Sequence, residues 1–132
     1  MIDFLKLAEQ AYGKNATVDD KNKLFEAFFN LKDVIVAKDP DEKGIAPLQR
    51  VIDKKICIFA FTSHGLLQHF EQVNNLAKNG PSPYFIMPMK GFIQWTMGMK
   101  NSTIDLVQFN FSSGGWFSPP GQIEIIYKHI RK

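Results

Sequence analysis

The stretch that most limits what this chain can fold into is Ile56-Cys57-Ile58-Phe59-Ala60-Phe61, six apolar residues rich in β-branched and aromatic types with no polar interruption. A strand with one wet face alternates apolar and polar residues, so an unbroken run predicts a central strand covered on both faces. The strand should end at Thr62-Ser63, where a hydroxyl can accept the orphan N–H groups of a new helix's first turn. Leu66, Phe70, Val73 and Ala77 recur at helical spacing and predict a stripe laid back on the sheet. Lys78 falls in the last turn, and Asn79-Gly80-Pro81 is the stop.

One such sheet is what a chain of 132 residues can build, so a single domain over residues 1–132 is expected. With 45% hydrophobic residues and 12 Phe, the core needs no metal or disulfide support. The lone cysteine, Cys57, excludes an internal disulfide and fits a reducing, cytoplasmic setting. Met1-Ile2-Asp3-Phe4-Leu5-Lys6 has no basic segment leading into an apolar one, unlike a secretory signal. No run approaches the ~18 apolar residues of a membrane span, so no membrane partner is expected. The 16 basic residues are interspersed with 13 acidic ones, for a net charge of +3. That leaves no basic stripe, so no nucleic-acid partner is expected.

In chain order, residues 3–12 read as a short helix with Asp3 as cap, Leu5, Ala8 and Tyr12 on one face, and Gly13 as stop. Thr17-Val18-Asp19-Asp20 resembles a capping box, opening a helix that buries Leu24, Phe25, Phe28 and Leu31. Val34-Ile35-Val36-Ala37 is a strand, and Lys38-Asp39-Pro40-Asp41-Glu42-Lys43-Gly44 is a charged loop. A second strand over 45–52 carries Pro47, which lacks a ladder donor and places it at an edge. Asp53-Lys54-Lys55 then turns the chain into the central strand as an antiparallel meander. Residues 84–89 give a fourth strand, 91–100 a short helix with Phe92, Trp95, Thr96 and Met99, and 104–110 a fifth strand. Residues 111–121 read as a loop. Ser118 caps a last helix whose inner face is Ile123, Ile126 and Ile130, with Lys128, Arg131 and Lys132 at its C-terminal end. The expected class is α+β, a mixed or antiparallel sheet of about five strands with helices packed on it, in the order α-α-β-β-β-α-β-α-β-α.

Several strings resemble the N-terminal domain of the SseB-like family. They are Phe28-Phe29-Asn30-Leu31-Lys32-Asp33-Val34-Ile35-Val36, Ala46-Pro47-Leu48, the apolar run ending Phe61-Thr62-Ser63, and Val107-Gln108-Phe109-Asn110 before a Gly-rich loop and Ser118-Pro119. The likeness spans roughly residues 20–131. The chain departs from the family pattern at Lys54, where glycine is frequent, and at Phe111, where proline is usual. The resemblance implies an α+β domain of cytoplasmic bacterial type, and implies no catalytic residues.

The residues themselves offer little chemistry. Cys57 lies inside an apolar run with no neighbouring cation to activate it, as a buried structural thiol does. His64 and His69 are five apart on one helix, about 140° round its axis, so they cannot grip one metal as an i, i+4 pair does. Ser63 beside His64 lacks a nucleophile elbow and serves as a cap. Asp53 and Asp105 read as solvated turn residues rather than an acid–base pair. No metal, cofactor or catalytic residue is expected. The unusual stretch is 110–121. Ser112, Ser113, Gly114 and Gly115 either present free amides to an anion near a helix N-terminus or are a connector whose glycines permit a turn. Trp116 and Phe117 either fold under the sheet or stand out as binding anchors. The expected function is that of a non-enzymatic protein-interaction module. Its candidate surface is Asn110, Ser112, Ser113, Gly114, Gly115, Trp116 and Phe117, bordered by Trp95. Its partner is another protein, with a homodimer as the other form of that reading. An immunity-type protein neutralising a toxin, and a binder of or enzyme for small anions, are the alternatives.

Overall fold

The computed structural model describes residues 2–41, 46–74, 83–99 and 101–131. The chain is α+β, with five helices and a six-stranded mixed sheet among the described residues. The elements run α1 (Phe4–Tyr12), α2 (Val18–Phe29), β1 (Asp33–Ala37), β2 (Arg50–Ile52), β3 (Lys55–Phe61), α3 (His64–Val73), β4 (Tyr84–Pro88), α4 (Met89–Met97), β5 (Leu106–Phe109), β6 (Trp116–Ser118) and α5 (Pro120–Ile130). The expected order holds, with β6 added inside the stretch read as a loop. Glu42-Lys43-Gly44 of the expected charged loop, Ile45 of the expected second strand, the expected helix end Ala77-Lys78 with its stop Asn79-Gly80-Pro81, and Lys100 and Lys132 lie outside the described residues.

β3 is central, as its unbroken apolar run requires. The strand order is β4-β1-β3-β5-β6, with β2 also paired to β3. β3 pairs antiparallel with β1 and parallel with β5, which it reaches by a crossover through α3, β4 and α4. Ile58 and Ala60 face a core shared with Val34, Val36, Val107 and Phe109 under α1, α2, α4 and α5. Cys57, Phe59 and Phe61 face the opposite side, where Ile35, Ala37 and the α3 residues Leu67 and Phe70 close a smaller core. The α2 side is densely aromatic: Phe28 meets the rings of Phe29, Phe92, Phe109 and Trp116 edge-on, geometry that adds to the area those rings bury.

The meander is replaced by a different arrangement. Val36 is opposite Ala60 and Arg50 is opposite Cys57, so β1 and β2 run in the same direction along the same flank of β3, one beyond the other. The excursion between them is pinned back by an antiparallel bridge between Lys38 and Pro47 and by the Leu48 N–H donating to Ala37 O at 2.9 Å. Pro47 and the burial of Leu48 shorten the expected strand 45–52 to Arg50–Ile52. The turn into β3 places Asp53 and Lys54 at φ 50° and 67°, both left-handed as a two-residue hairpin demands. Asp105 is more than a solvated turn residue: its carboxylate accepts from Ile56 N–H at 2.8 Å and ties the start of β5 to β3.

Local cap chemistry agrees with the sequence at three helix starts. The Asp3 carboxylate accepts from Lys6 N–H, Thr17 and Asp20 form a reciprocal capping box, and Ser63 Oγ accepts from Leu66 N–H. Ser118 is the exception. Pro119 is the N-cap of α5 and the Ser118 hydroxyl donates to Pro119 O instead. Two helices bury a face rotated from the one that the spacing of apolar residues picks out. α1 buries Phe4, Ala8 and Ala11, leaving Leu5 and Tyr12 exposed, a shift of one position, or ~100°. α3 buries Leu67 and Phe70, so Val73 falls about a third of a turn off the stripe and is exposed.

Candidate functional site

The segment 110–118 has two halves with opposite commitments. At the end of β5, Asn110 takes φ 52° and is 3% exposed. Its N–H donates to Ala60 O at 2.9 Å, its Oδ1 accepts from Thr62 N–H at 3.0 Å, and its Nδ2 donates to Thr62 Oγ1 at 3.1 Å. The side chain thus locks together the C-terminal ends of two parallel strands. Ser113 N–H donates back to Asn110 O at 3.0 Å, and Ser112 Oγ accepts from Asn74 Nδ2 of the α3 C-cap at 3.2 Å.

The glycines are there for space. A Cβ on Gly115 would lie 1.6 Å from Phe109 O, and one on Gly114, at φ +65°, would lie 2.2 Å from Leu5 Cδ1. Glycine is what lets the chain fold this tightly onto β5 and α1. An anion reading finds little support in the helix that follows. Pro120 opens α5 without an N–H, and Gln122 N–H is already given to Pro119 O. The groove that does include Asn110 and Ser113, with Thr62 and Ser63, has a single charged lining residue among those described, the acidic Asp3.

Beyond Gly115 the chain becomes β6, with Phe109 opposite Trp116 and Gln108 opposite Phe117. Alternation along a strand sends neighbours to opposite sides. Trp116 points inward at 3% exposure, stacking on Phe109 with centroids 4.9 Å apart and planes 11° apart. Its Nε1 has no hydrogen-bond partner among the described residues. Trp116 is therefore a core staple and no partner can reach it. Phe117 points outward at 57% exposure. Trp95 is half-buried on α4 against Phe85 and Phe92 and lines neither of the grooves described here. Of the predicted surface, Phe117 alone combines a large apolar side chain with exposure.

Phe117 stands at the rim of a groove of about 430 Å³ between α2 and α5. The rim also holds Val18 at 71%, Ile125 at 65% and Tyr12 at 51% exposure. Phe25 and Ile126 are its more buried members. Lys21 lies with its Nζ 5.5 Å from the Tyr12 ring centroid. Sequence reasoning missed Val18, Ile125 and the outward turn of Tyr12. The signal was present in register: Ile125 lies off the Ile123/Ile126/Ile130 stripe, and Val18 precedes the Leu24/Phe25/Phe28 stripe.

Cys57 is buried, and burial raises its thiol above the ordinary value of 9.0, with Gln108 Nε2 donating to its Sγ at 3.7 Å. A thiol shifted in that direction is a poor nucleophile. His64 packs edge-on against Tyr84. Among the described residues no group of three His, Cys, Asp or Glu is placed to hold a metal, and no helix is long and apolar enough to cross a membrane. No protein-family model matches the chain, and no curated protein matches it either. The likeness to the SseB-like family thus rests on the strings quoted above.

Proposed function

We propose that this chain is a non-enzymatic protein-interaction module whose recognition surface is the α2/α5 groove with Phe117 at its rim. The carrying observation is that Phe117, Val18, Ile125 and Tyr12, each more than half exposed, surround one concavity. Single exposed apolar residues are ordinary on a soluble domain, but a contiguous set around a groove marks an interaction surface. An aromatic at the rim supplies the rigid anchor on which such surfaces concentrate their binding energy. The resemblance to the SseB-like family adds a bacterial cytoplasmic setting to this reading.

The test is capture of partners from native lysate by the tagged chain and by its Phe117→Ser/Ile125→Asp variant, with circular dichroism confirming that both are folded. A partner held by the wild type and lost by the folded variant supports the proposal, and a second copy of the chain lost in the same way makes the groove a self-interface. Identical recovery by both proteins removes the groove as the surface.

A further inference from the structure

We infer that the occupant of the α2/α5 groove is an amphipathic helix carrying carboxylates beside its apolar anchors; this rests on the interaction-module reading above. The walls give the first reason. α2 presents Val18, Lys21, Asn22 and Phe25, and α5 presents Gln122, Ile125, Ile126 and His129. Each set is an i, i+3, i+4, i+7 ridge two turns long, spanning about 10 Å at 1.5 Å per residue. Two helical ridges flanking a furrow are the surface a third helix packs into, ridge against groove.

The competing mode is addition of an extended strand to β6, which ends the sheet. β6 is only three residues long and is closed by Pro119, which has no N–H to offer. So short an edge gives an incoming strand too few main-chain bonds to hold it.

Size and charge set the rest of the chemistry. An engineered cavity of ~150 Å³ holds a benzene-sized group, so a groove of about 430 Å³ takes two or three apolar side chains. Among the described residues, the charged or titratable side chains lining it are the basic Lys21 on one wall and His129 on the other, with Tyr12 beside Lys21, and none is a carboxylate. The nearby Lys128 is already paired with Glu124 at 2.7 Å. A helix bringing Asp or Glu to Lys21 gains a rim ion pair, and one bringing Lys or Arg meets repulsion.

The test pans a phage-displayed library of random 16-residue peptides on the full chain, with counter-selection against Ile125→Asp, an exposed position whose change should leave the fold intact. Enriched peptides should carry Leu, Ile, Phe or Trp at i, i+3/i+4 and i+7 with Asp or Glu in excess over Lys and Arg, and should gain helical circular dichroism on binding. Lys21→Glu should weaken a labelled winner about fivefold, as expected of an exposed charge reversal, and replacing the peptide's Glu residues by Lys should restore binding to that variant. Winners with period-two apolar patterning, or binding indifferent to Lys21→Glu, would overturn the acidic-helix inference while leaving the interaction module standing. A library yielding nothing that separates wild type from Ile125→Asp and Phe117→Ser would sink both.

Discussion

The turn Asn110–Gly115 leads directly into β6, which carries Phe117 to the rim of the groove between α2 and α5, yet turn and groove spend their residues in opposite ways. The turn is made of small polar residues and glycines, the composition of a ligand loop, and nearly all of it is committed to the fold: Asn110 to Thr62 and Ala60, Ser112 to Asn74, Gly115 to the Phe109 carbonyl. The groove is made of regular helix and strand, and it leaves Phe117, Val18 and Ile125 in solvent. Unusual backbone therefore marks where the chain must pass close to itself. On the proposed reading, large apolar side chains left out of register mark where it meets something else.

The sharpest way to break that contrast is Gly115→Ala. A Cβ 1.6 Å from a main-chain oxygen cannot be relieved by a side-chain rotation, so the cooperative unfolding transition should be lost, a destabilisation above about 4 kcal/mol. A normal melting curve would show the turn to be pliable. Next in size is the pair Trp116→Ala and Phe117→Ala. Removing the buried ring should lower stability by about 3–5 kcal/mol, and removing its exposed neighbour should change it by under about 0.5 kcal/mol. Trp116→Phe keeps an aromatic on Phe109 and deletes the unpartnered Nε1–H, so it should stay within about 1 kcal/mol of wild type. Chemical denaturation of the three proteins reads all of this, and similar midpoints for the two alanine variants would refute the opposed orientations. Asn110→Ala comes third. It strands the Thr62 N–H and puts alanine, which tolerates the left-handed region less well than asparagine, at φ 52°, for a loss of about 2 kcal/mol.

How much of this was legible follows from how local each cause is. β3 was readable because a strand buried on both faces must be apolar at every position, and the caps at Asp3, Thr17/Asp20 and Ser63 because a hydroxyl or carboxylate acts within three residues of itself. The fate of Trp116 was not, because β6 is too short to display a period and its register comes from pairing with β5. The shared flank of β1 and β2 was hidden for the same reason: it is a property of β3's two partners and not of either segment. The groove was least legible of all. Its walls come from α2 and α5, near opposite ends of the chain, and only packing on a common face of the sheet reveals which residues are left uncovered.

The smallest expected effect lies on the groove side of the comparison, at the capping box that opens α2. Thr17 N–H donates to Asp20 Oδ2 at 2.9 Å and Asp20 N–H donates to Thr17 Oγ1 at 3.2 Å, setting the helix start that carries Val18 and Lys21 to the groove. The Thr17 backbone hydrogen bond, with the hydroxyl second, holds the Asp20 carboxyl below its ordinary 3.8. A carboxyl whose pKa is lower in the folded than in the unfolded chain contributes stability above its unfolded value and loses it as pH falls through the folded one. The gap in melting temperature between wild type and Asp20→Asn should therefore be widest near neutrality and close as pH drops below about 4. Because this hydrogen bond lies at the surface, high salt should narrow the gap as well. A gap that ignored both pH and salt would mean the box acts through neutral hydrogen bonds alone, and the wall of the groove would then be set without the charge.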